Sequence, residues 1–514
     1  MMKKNNNYKS GTMKKIASIL VVFLAFNSCN DLDLLPLDRV TTATFYKTAA
    51  DFDGAIFASY SSIQDFWGTS TETLSERGEF WKITMIITDD VAADEAQADG
   101  ISKDVDNLFI RASDVPYGAV YTQIYKGILR ANLVLENLNE ENALTAEEKS
   151  SFEGEAKFLR AWFHFQALKL FGTPPLATEV QTDLNDLALP NATQQELYAL
   201  ILSDFTTAGA NLPEDWGSAN AGRATAWAAR SYIGKVKVWQ EDWAGAITAF
   251  EEVMTSGPYR LLLDFESVFA FDNENNAESI FEVQYGGPFS DDNLWVFDDT
   301  HSENFKASQG TGRNWYWDAA NGAPGGKVGW WAPTTDLLNA FEAGDLRKDV
   351  TLYEAGDMYY TFPGDELPYD ETWSSTGLTL KKYRGPRNTV AANHSPNEQA
   401  DFNNERWFRF AELKLLYAEA LLMSGRDGDA TTQINDIRGR AGLANLGGTA
   451  TMADLQQERR MELALEPHRW FDIVRWDLGP SIFGASWDPK LVLFTFPQSE
   501  IDRSEGKLIQ NTGY

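Results

Sequence analysis

Gly222-Arg-Ala-Thr-Ala-Trp-Ala-Ala-Arg-Ser-Tyr-Ile-Gly-Lys-Val-Lys-Val-Trp-Gln-Glu241-Asp-Trp-Ala-Gly-Ala-Ile-Thr-Ala-Phe-Glu-Glu-Val-Met-Thr-Ser-Gly-Pro258 reads as two helices joined near Glu241-Asp242. Gly234 offers a small face on which the second helix can lie close. Pro258 closes the unit, because proline supplies no backbone donor and clashes with the preceding helical turn. A chain that buries one helix against the next in this way builds its core from stacked pairs, so this stretch decides the architecture.

Gly234, Ala246, Phe250 and Pro258 have the mutual spacings at which a tetratricopeptide repeat places Gly, Ala, Phe and Pro. A second unit, 407–442, repeats those spacings with Ala418, Ala430 and Ile434, and Ser424-Gly425-Arg426 is its turn. Upstream, Phe45, Phe52, Ile56, Tyr60 and Ile63 recur at helical spacing over 44–66. The periodicity returns over 117–138 and over 147–171, where Phe158, Ala161, Trp162, Phe165 and Leu168 form a stripe that Pro174-Pro175 terminates. The expected fold is mainly α, with about four tetratricopeptide-like hairpins stacked as a partial solenoid. Residues 259–405 differ: Gly, Asn, Asp and aromatics dominate, with a strand expected at 279–285 and a short helix at 336–341.

Glu458 to Trp476 alternates charge and bulk in a way that a surface helix does not need. Glu458, Glu462 and Glu466 share one helical face at i, i+4 spacing, and Pro467 is expected to end that helix. A second helix carries Trp470, Ile473, Val474 and Trp476 beside Arg469, Asp472 and Arg475. Arginine and carboxylate among large aromatics point to semi-buried ion pairs that fix how helices meet.

The chain has 514 residues and 43% hydrophobic content, ample for a large core. Its net charge is −31, although the first 28 residues contain five lysines and no acid. So acidic a body repels phosphate backbones and anionic lipid headgroups, which argues against nucleic acid and against anionic polysaccharides as ligands. Cys29 is the only cysteine, so no internal disulfide forms. It follows Lys14-Lys15, the apolar run Ile16 to Phe26 and Asn27-Ser28, the layout of a lipoprotein signal peptide with Met13 as a start and Cys29 as the acylated residue. The run is too short to span a bilayer as a helix. Acyl chains on Cys29 would anchor the chain to a membrane.

Three stretches together carry a family resemblance: Glu458 to Trp476, the string Ala332-Pro-Thr-Thr-Asp-Leu-Leu-Asn-Ala-Phe-Glu-Ala-Gly-Asp-Leu-Arg-Lys-Asp349, and the terminus Phe494 to Tyr514 with Pro497, Glu500-Ile501, Leu508 and Gln510-Asn511-Thr-Gly-Tyr514. With the lipoprotein start and the hairpins, they resemble the SusD/RagB family of surface lipoproteins across 29–514. Ser504-Glu505-Gly506 replaces the Asn-Pro usual there. The resemblance implies capture of a glycan without bond cleavage and a partner, a SusC-like TonB-dependent outer-membrane transporter. It also implies that Asp31 and Asp33 belong to an export tag that leads to the cell exterior. The expected organisation is a signal peptide at 1–28 and one domain at 29–514, with scaffold at about 41–258 and 406–478 and a ligand-binding insertion at about 259–405.

Enzymatic motifs are missing. His164, His301, His394 and His468 show no His-Glu-x-x-His spacing, His164 lies in an aromatic stripe as a structural residue, and no Gly-x-Ser-x-Gly elbow exists. Gly322-Ala-Pro-Gly-Gly-Lys327 has the wrong spacing for a phosphate loop. A pair of carboxylates could serve a glycoside hydrolase, but 75 acids nominate no pair. No cofactor is expected, and the acid runs are compatible with a structural Ca²⁺. The positive signal is aromatic: Trp295, Trp315, Trp317, Trp330 and Trp331 fall where no helical stripe needs them. Sugar rings offer apolar faces and polar edges, so a glycan site combines aromatic platforms with amides, acids and arginine. The nominated ligand-binding residues are Trp81, Asp90, Trp295, Arg313, Asn314, Trp315, Trp317 and Trp331, for a neutral glucan or xylan-like chain. Peptide capture, a surface hydrolase and a pure repeat scaffold remain the alternatives.

Overall fold

The computed structural model describes residues 45–64, 79–181, 188–285, 316–317, 329–360, 366–383 and 403–514. Its longer helices come in pairs: α1 (Ala49–Gln64) with α2 (Val115–Leu138), α3 (Ala146–Phe171) with α4 (Gln194–Asn211), α5 (Ala226–Trp239) with α6 (Trp243–Ser256), and α7 (Phe410–Met423) with α8 (Asp427–Arg440). Each helix packs on the next, and α6 packs on α7 across the insertion that separates them in sequence. The result is the mainly helical, tetratricopeptide-like solenoid expected above. Among the described residues no helix is long and apolar enough to cross a membrane.

Local chemistry sets the boundaries. Thr145 and Thr193 begin α3 and α4 through reciprocal bonds with Glu148 and Glu196, and Thr225 and Asp242 cap α5 and α6. Between α5 and α6, Glu241 adopts φ 57°, which closes the turn within one residue. A Cβ at Gly234 would stand 2.4 Å from Phe250 Cε1, so glycine is what lets α6 seat its phenylalanine against α5.

The core is aromatic. Trp162 on α3 donates its Nε1–H to Tyr232 Oη at 3.1 Å, and Tyr232 stacks on Phe205 at 5.2 Å. Strand β2 (Ser279–Val283) pairs antiparallel with β4 (Glu405–Arg409), Ser279 opposite Arg409, and drives Phe281 and Phe408 against Phe158 and Tyr232. A second ribbon joins β1 (Val91–Ala93) to β3 (Trp331–Pro333), Ala92 opposite Ala332. Trp407 therefore belongs to a strand, and the second repeat's first helix starts later than its spacing implied, at Phe410.

The ion pairs expected from Glu458 to Trp476 are present and buried. Arg409, at the end of β4, bonds Glu278 at 3.0 Å, Glu462 and both oxygens of Glu466 at 2.9 Å. Arg440 of α8 meets the same Glu278 and Glu462. Arg347 joins Asp345, Glu458 and Glu462, and Lys382 joins Glu466 at 2.8 Å. The helix that presents Glu458 and Glu462, α9 (Met452–Glu462), stops before Pro467, and Leu465 in the turn beyond it takes φ 60°. Glu466 thus reaches Arg409 from a turn rather than from the shared helical face. At the terminus, Glu505 and Gly506 take φ 52° and 86°, and Ser504 Oγ accepts the Leu508 N–H at 3.1 Å. Asn511 Nδ2 then ties the chain end to the Phe171 and Phe494 carbonyls.

Burial alone would raise the Glu462 and Glu466 carboxyls, but Arg440, Arg409 and Arg347 around the first, and Arg409 and Lys382 around the second, hold both below the ordinary carboxylate range. Glu458 goes the other way, raised by burial. A carboxyl depressed in the fold stabilises it above the unfolded pKa, and that contribution drains away as pH falls below about 4.3. Thermal unfolding measured from pH 7 downward is expected to drop steeply below that value in the wild type. In Glu462→Gln it should start lower and fall less steeply; parallel curves would show that the network does not set acid stability. Arg409→Met strands two or more buried carboxylates and is expected to cost about 3–5 kcal/mol in denaturant titration.

Candidate functional site

The segments that interrupt the scaffold leave it close together. Gln64, at the end of α1, donates its side-chain amide to the Gln284 carbonyl at 2.6 Å, and Tyr285 N–H is held by Asn404 Oδ1 at 2.7 Å. Asn403 donates to the Tyr383 carbonyl at 2.8 Å. Residues 64, 285 and 383 are the last described positions before segments 65–78, 286–315 and 384–402, and 403 is the first after the third, so three insertions are rooted on one face.

Four nominated residues form a strut beside that face. Trp331 is 1% exposed and stacks on Tyr316 at 4.5 Å, with Trp317 (3%) and Trp81 (2%) edge-on to it at 5.6 and 6.2 Å. Its indole N–H donates to Ser102 Oγ at 3.1 Å. Asp90 is 2% exposed and bonds Arg460 at 2.8 Å, while burial pushes its pKa up to about 6. Rings and a carboxylate so enclosed offer no face to a sugar, which corrects their nomination. They lock β1 to β3 and hold the base of the insertion. Trp295, Arg313, Asn314, Trp315 and Cys29 lie outside the described residues.

The acid run is likewise occupied. Asp89 pairs with Arg469 at 2.7 Å, Asp94 Oδ1 accepts the Ala96 and Gln97 N–H groups, and Asp99 caps the helix at Gly100–Asp106 and meets Lys82. Among the described residues no group of three or more acids, histidines or cysteines is placed to hold a metal. His164 is buried and pushed down to about 4; its Nδ1 faces the Arg160 carbonyl and its Nε2 accepts the Ala177 N–H, the roles of a neutral structural histidine.

What the face does present was not legible. A cavity of ≈ 660 Å³ opens between α1 and β2, lined by Phe57, Ser61, Gln64, Arg223, Gln284 and Tyr285 among others. Phe57 is 50% exposed on the side of α1 away from the Phe52–Ile56–Ile63 stripe. Its ring lies 5.2 Å from the Arg223 guanidinium carbon, whose other neighbour is Trp216 at 4.4 Å. Arg223 is held by Glu155, through Nε at 2.8 Å, and by Asp53 at 2.7 Å. Burial raises the Glu155 carboxyl, with Arg223 pulling the other way. An open aromatic ring, a charge-compensated guanidinium and side-chain amides make up the chemistry expected of a sugar-binding surface. The one sequence signal was Phe57 itself, a large apolar residue on the wrong side of an amphipathic helix.

A family model described as starch-binding associating with outer membrane matches residues 61–238, and a SusD family model matches residues 277–493. SusD-like protein P2 of Formosa agariphila is 26% identical, the match covering 98% of this chain and 100% of that protein. Among solved structures, a laminarin binding SusD-like protein superposes with a TM-score of 0.76 at 22% identity, over 91% of this chain and 100% of that one. Surface glycan-binding protein A from Bacteroides thetaiotaomicron, in complex with laminarihexaose, gives 0.74 at 21% identity, over 90% and 100%. At these identities the structural likeness establishes the fold.

The two sets of aromatics are expected to separate on mutation. Trp331→Ala should cost about 3–5 kcal/mol as a buried tryptophan deletion. Phe57→Ala should stay within about 1 kcal/mol, the scale of its contact with Arg223. Denaturant midpoints check both, and a stable Trp331→Ala would return that ring to the list of surface candidates.

Proposed function

The chain belongs to the SusD/RagB family, and on that premise we propose that it is a cell-surface lipoprotein that captures a neutral glycan and passes it to a SusC-like TonB-dependent transporter. The observation that carries this is the face on which three insertions are rooted beside the Phe57–Arg223 pair. Laminarin and laminarihexaose are named for two proteins of the same fold, and starch for a matching family model. A net charge of −31 favours a ligand of that neutral kind, glucan or xylan-like.

Capture proceeds by stacking and hydroxyl hydrogen bonds, with no bond broken and no cofactor. Trp295, Arg313, Asn314 and Trp315 complete the face from the insertion, while Trp81, Asp90, Trp317 and Trp331 hold its base. Contacts of this kind are individually weak, so binding falls between about −4 and −8 kcal/mol, millimolar to micromolar. Residues 1–28 act as signal peptide and Cys29 as the lipid anchor of the mature domain 29–514, placing it on the outer membrane and facing outward. The transporter lies beneath it, and movement of the whole domain delivers the glycan.

Affinity electrophoresis of the chain lacking residues 1–29 is the test. Neutral glucan or xylan in the gel is expected to retard it and polyuronate is not; Trp295→Ala/Trp315→Ala should lose the retardation. The incubated polysaccharide should gain no reducing ends. New reducing ends would make the protein a hydrolase, and migration unchanged in every neutral glycan would overturn glycan capture.

A further inference from the structure

A second cavity lies beyond Arg223. It measures ≈ 720 Å³ and is lined by Trp216, Thr225, Tyr259 and Asn275 among others, and it shares Ala221, Gly222, Arg223, Phe281 and Glu282 with the ≈ 660 Å³ cavity that holds Phe57. Those five residues form the boundary between the two cavities, the ridge that a single groove would cross. Gly222 and Arg223 supply the backbone of that ridge, and its flank is a pair of amides. Asn275 Nδ2 donates to Gln284 Oε1 at 2.8 Å, and Gln284 Nε2 returns a bond to Asn275 Oδ1 at 3.0 Å.

The ridge is low because of one residue. Gly222 has φ 89°, and a Cβ there would stand 2.2 Å from Gln284 Cδ, so any side chain would push the amide pair aside. Gln284 is saturated, since its Oε1 also accepts from Asn404 and its Nε2 also donates to the Glu282 carbonyl. Asn275 is exposed and, among the described residues, keeps one amide hydrogen and one acceptor site for a ligand.

Two aromatic rings sandwich the Arg223 guanidinium, Phe57 toward the first lobe and Trp216 toward the second. Trp216 is fixed by its Nε1–H bond to the Ala224 carbonyl at 2.7 Å. Glu155 and Asp53 compensate the one positive charge at the centre, and Glu214, Asp215 and Glu274 line the second lobe. An anionic chain would meet net negative charge along the second lobe; a neutral one meets ring faces and amides.

Resting on the glycan-capture reading above, we propose that this groove is an extended site for the interior of a neutral polysaccharide chain, with Phe57 and Trp216 as its two ring platforms and Asn275 as the hydroxyl partner between them. Chains that reach only one lobe bind through one platform; longer chains cross the Gly222 ridge and gain the second. Chain length, rather than a chain end, is then what the site reads.

Calorimetric titration of the chain lacking residues 1–29 with a ladder of neutral gluco-oligosaccharides tests this. Affinity is expected to step up by about tenfold at the length that spans both lobes, the scale of one added stacking contact. Trp216→Ala should remove the step and leave the short-chain affinity, Trp216→Phe should keep it, and Gly222→Ala should blunt it. Asn275→Ala, at an exposed position, tests the hydroxyl partner on that ridge independently of Gly222. A wild-type ladder that binds without a step, or a step that survives Trp216→Ala and Asn275→Ala, would overturn the extended groove and leave glycan capture standing. A wild type that binds no member of the ladder or its parent polysaccharide would bring down the capture reading and the groove with it.

Discussion

Arg409 is the residue on which the two halves of the molecule close. Its guanidinium receives Glu278 from beside β2, Glu462 from α9 and Glu466 from the turn that follows, all out of reach of water. Taking those charges from water is costly, and their mutual attraction offsets it only when the partners are close and well oriented. Arg440, Arg347 and Lys382 meet the remaining oxygens, so α8, residues 345–347 and residue 382 are drawn to the same point. An apolar core would tolerate small displacements of these elements; a lattice of buried charge specifies their distances. That is why an insertion of loops can sit on a helical solenoid without loosening it.

The same logic orders the site. Gln64, Gln284, Tyr285, Asn403 and Asn404 form amide and backbone bonds that keep the roots of three insertions together, and the β1–β3 ribbon is locked by rings around Trp331. Tryptophan thus serves two ends here. Packed around Trp331 or Trp162 it buries area and fixes orientation, whereas at Trp216 it lies half-buried against a guanidinium. Arg223 compensated by two carboxylates acts as a flat polar spacer between rings, not as an anion trap.

Sequence alone determined the scaffold. Helical periodicity and the small face at Gly234 are local signals, each decided within one or two turns of chain, and the structure has the helices they imply, with Phe250 seated at Gly234. It also determined that Glu458, Glu462 and Arg-rich neighbours would pair in the interior, because charge beside bulky aromatics has few other stable arrangements. It missed where α9 stops: the helix ends at Glu462, ahead of Pro467, and the turn that follows, with Leu465 at φ 60°, brings Glu466 to Arg409. Only the tertiary structure decided which aromatics are walls and which are surface. Trp81, Trp317 and Trp331 sit in loop-like sequence yet meet one another from segments far apart in the chain, while Phe57 and Arg223 come from a helix and a turn that read as ordinary scaffold. Exposure belongs to the assembled chain: a ring is buried by whatever long-range pairing brings against it, and no spacing within a single stretch encodes that partner.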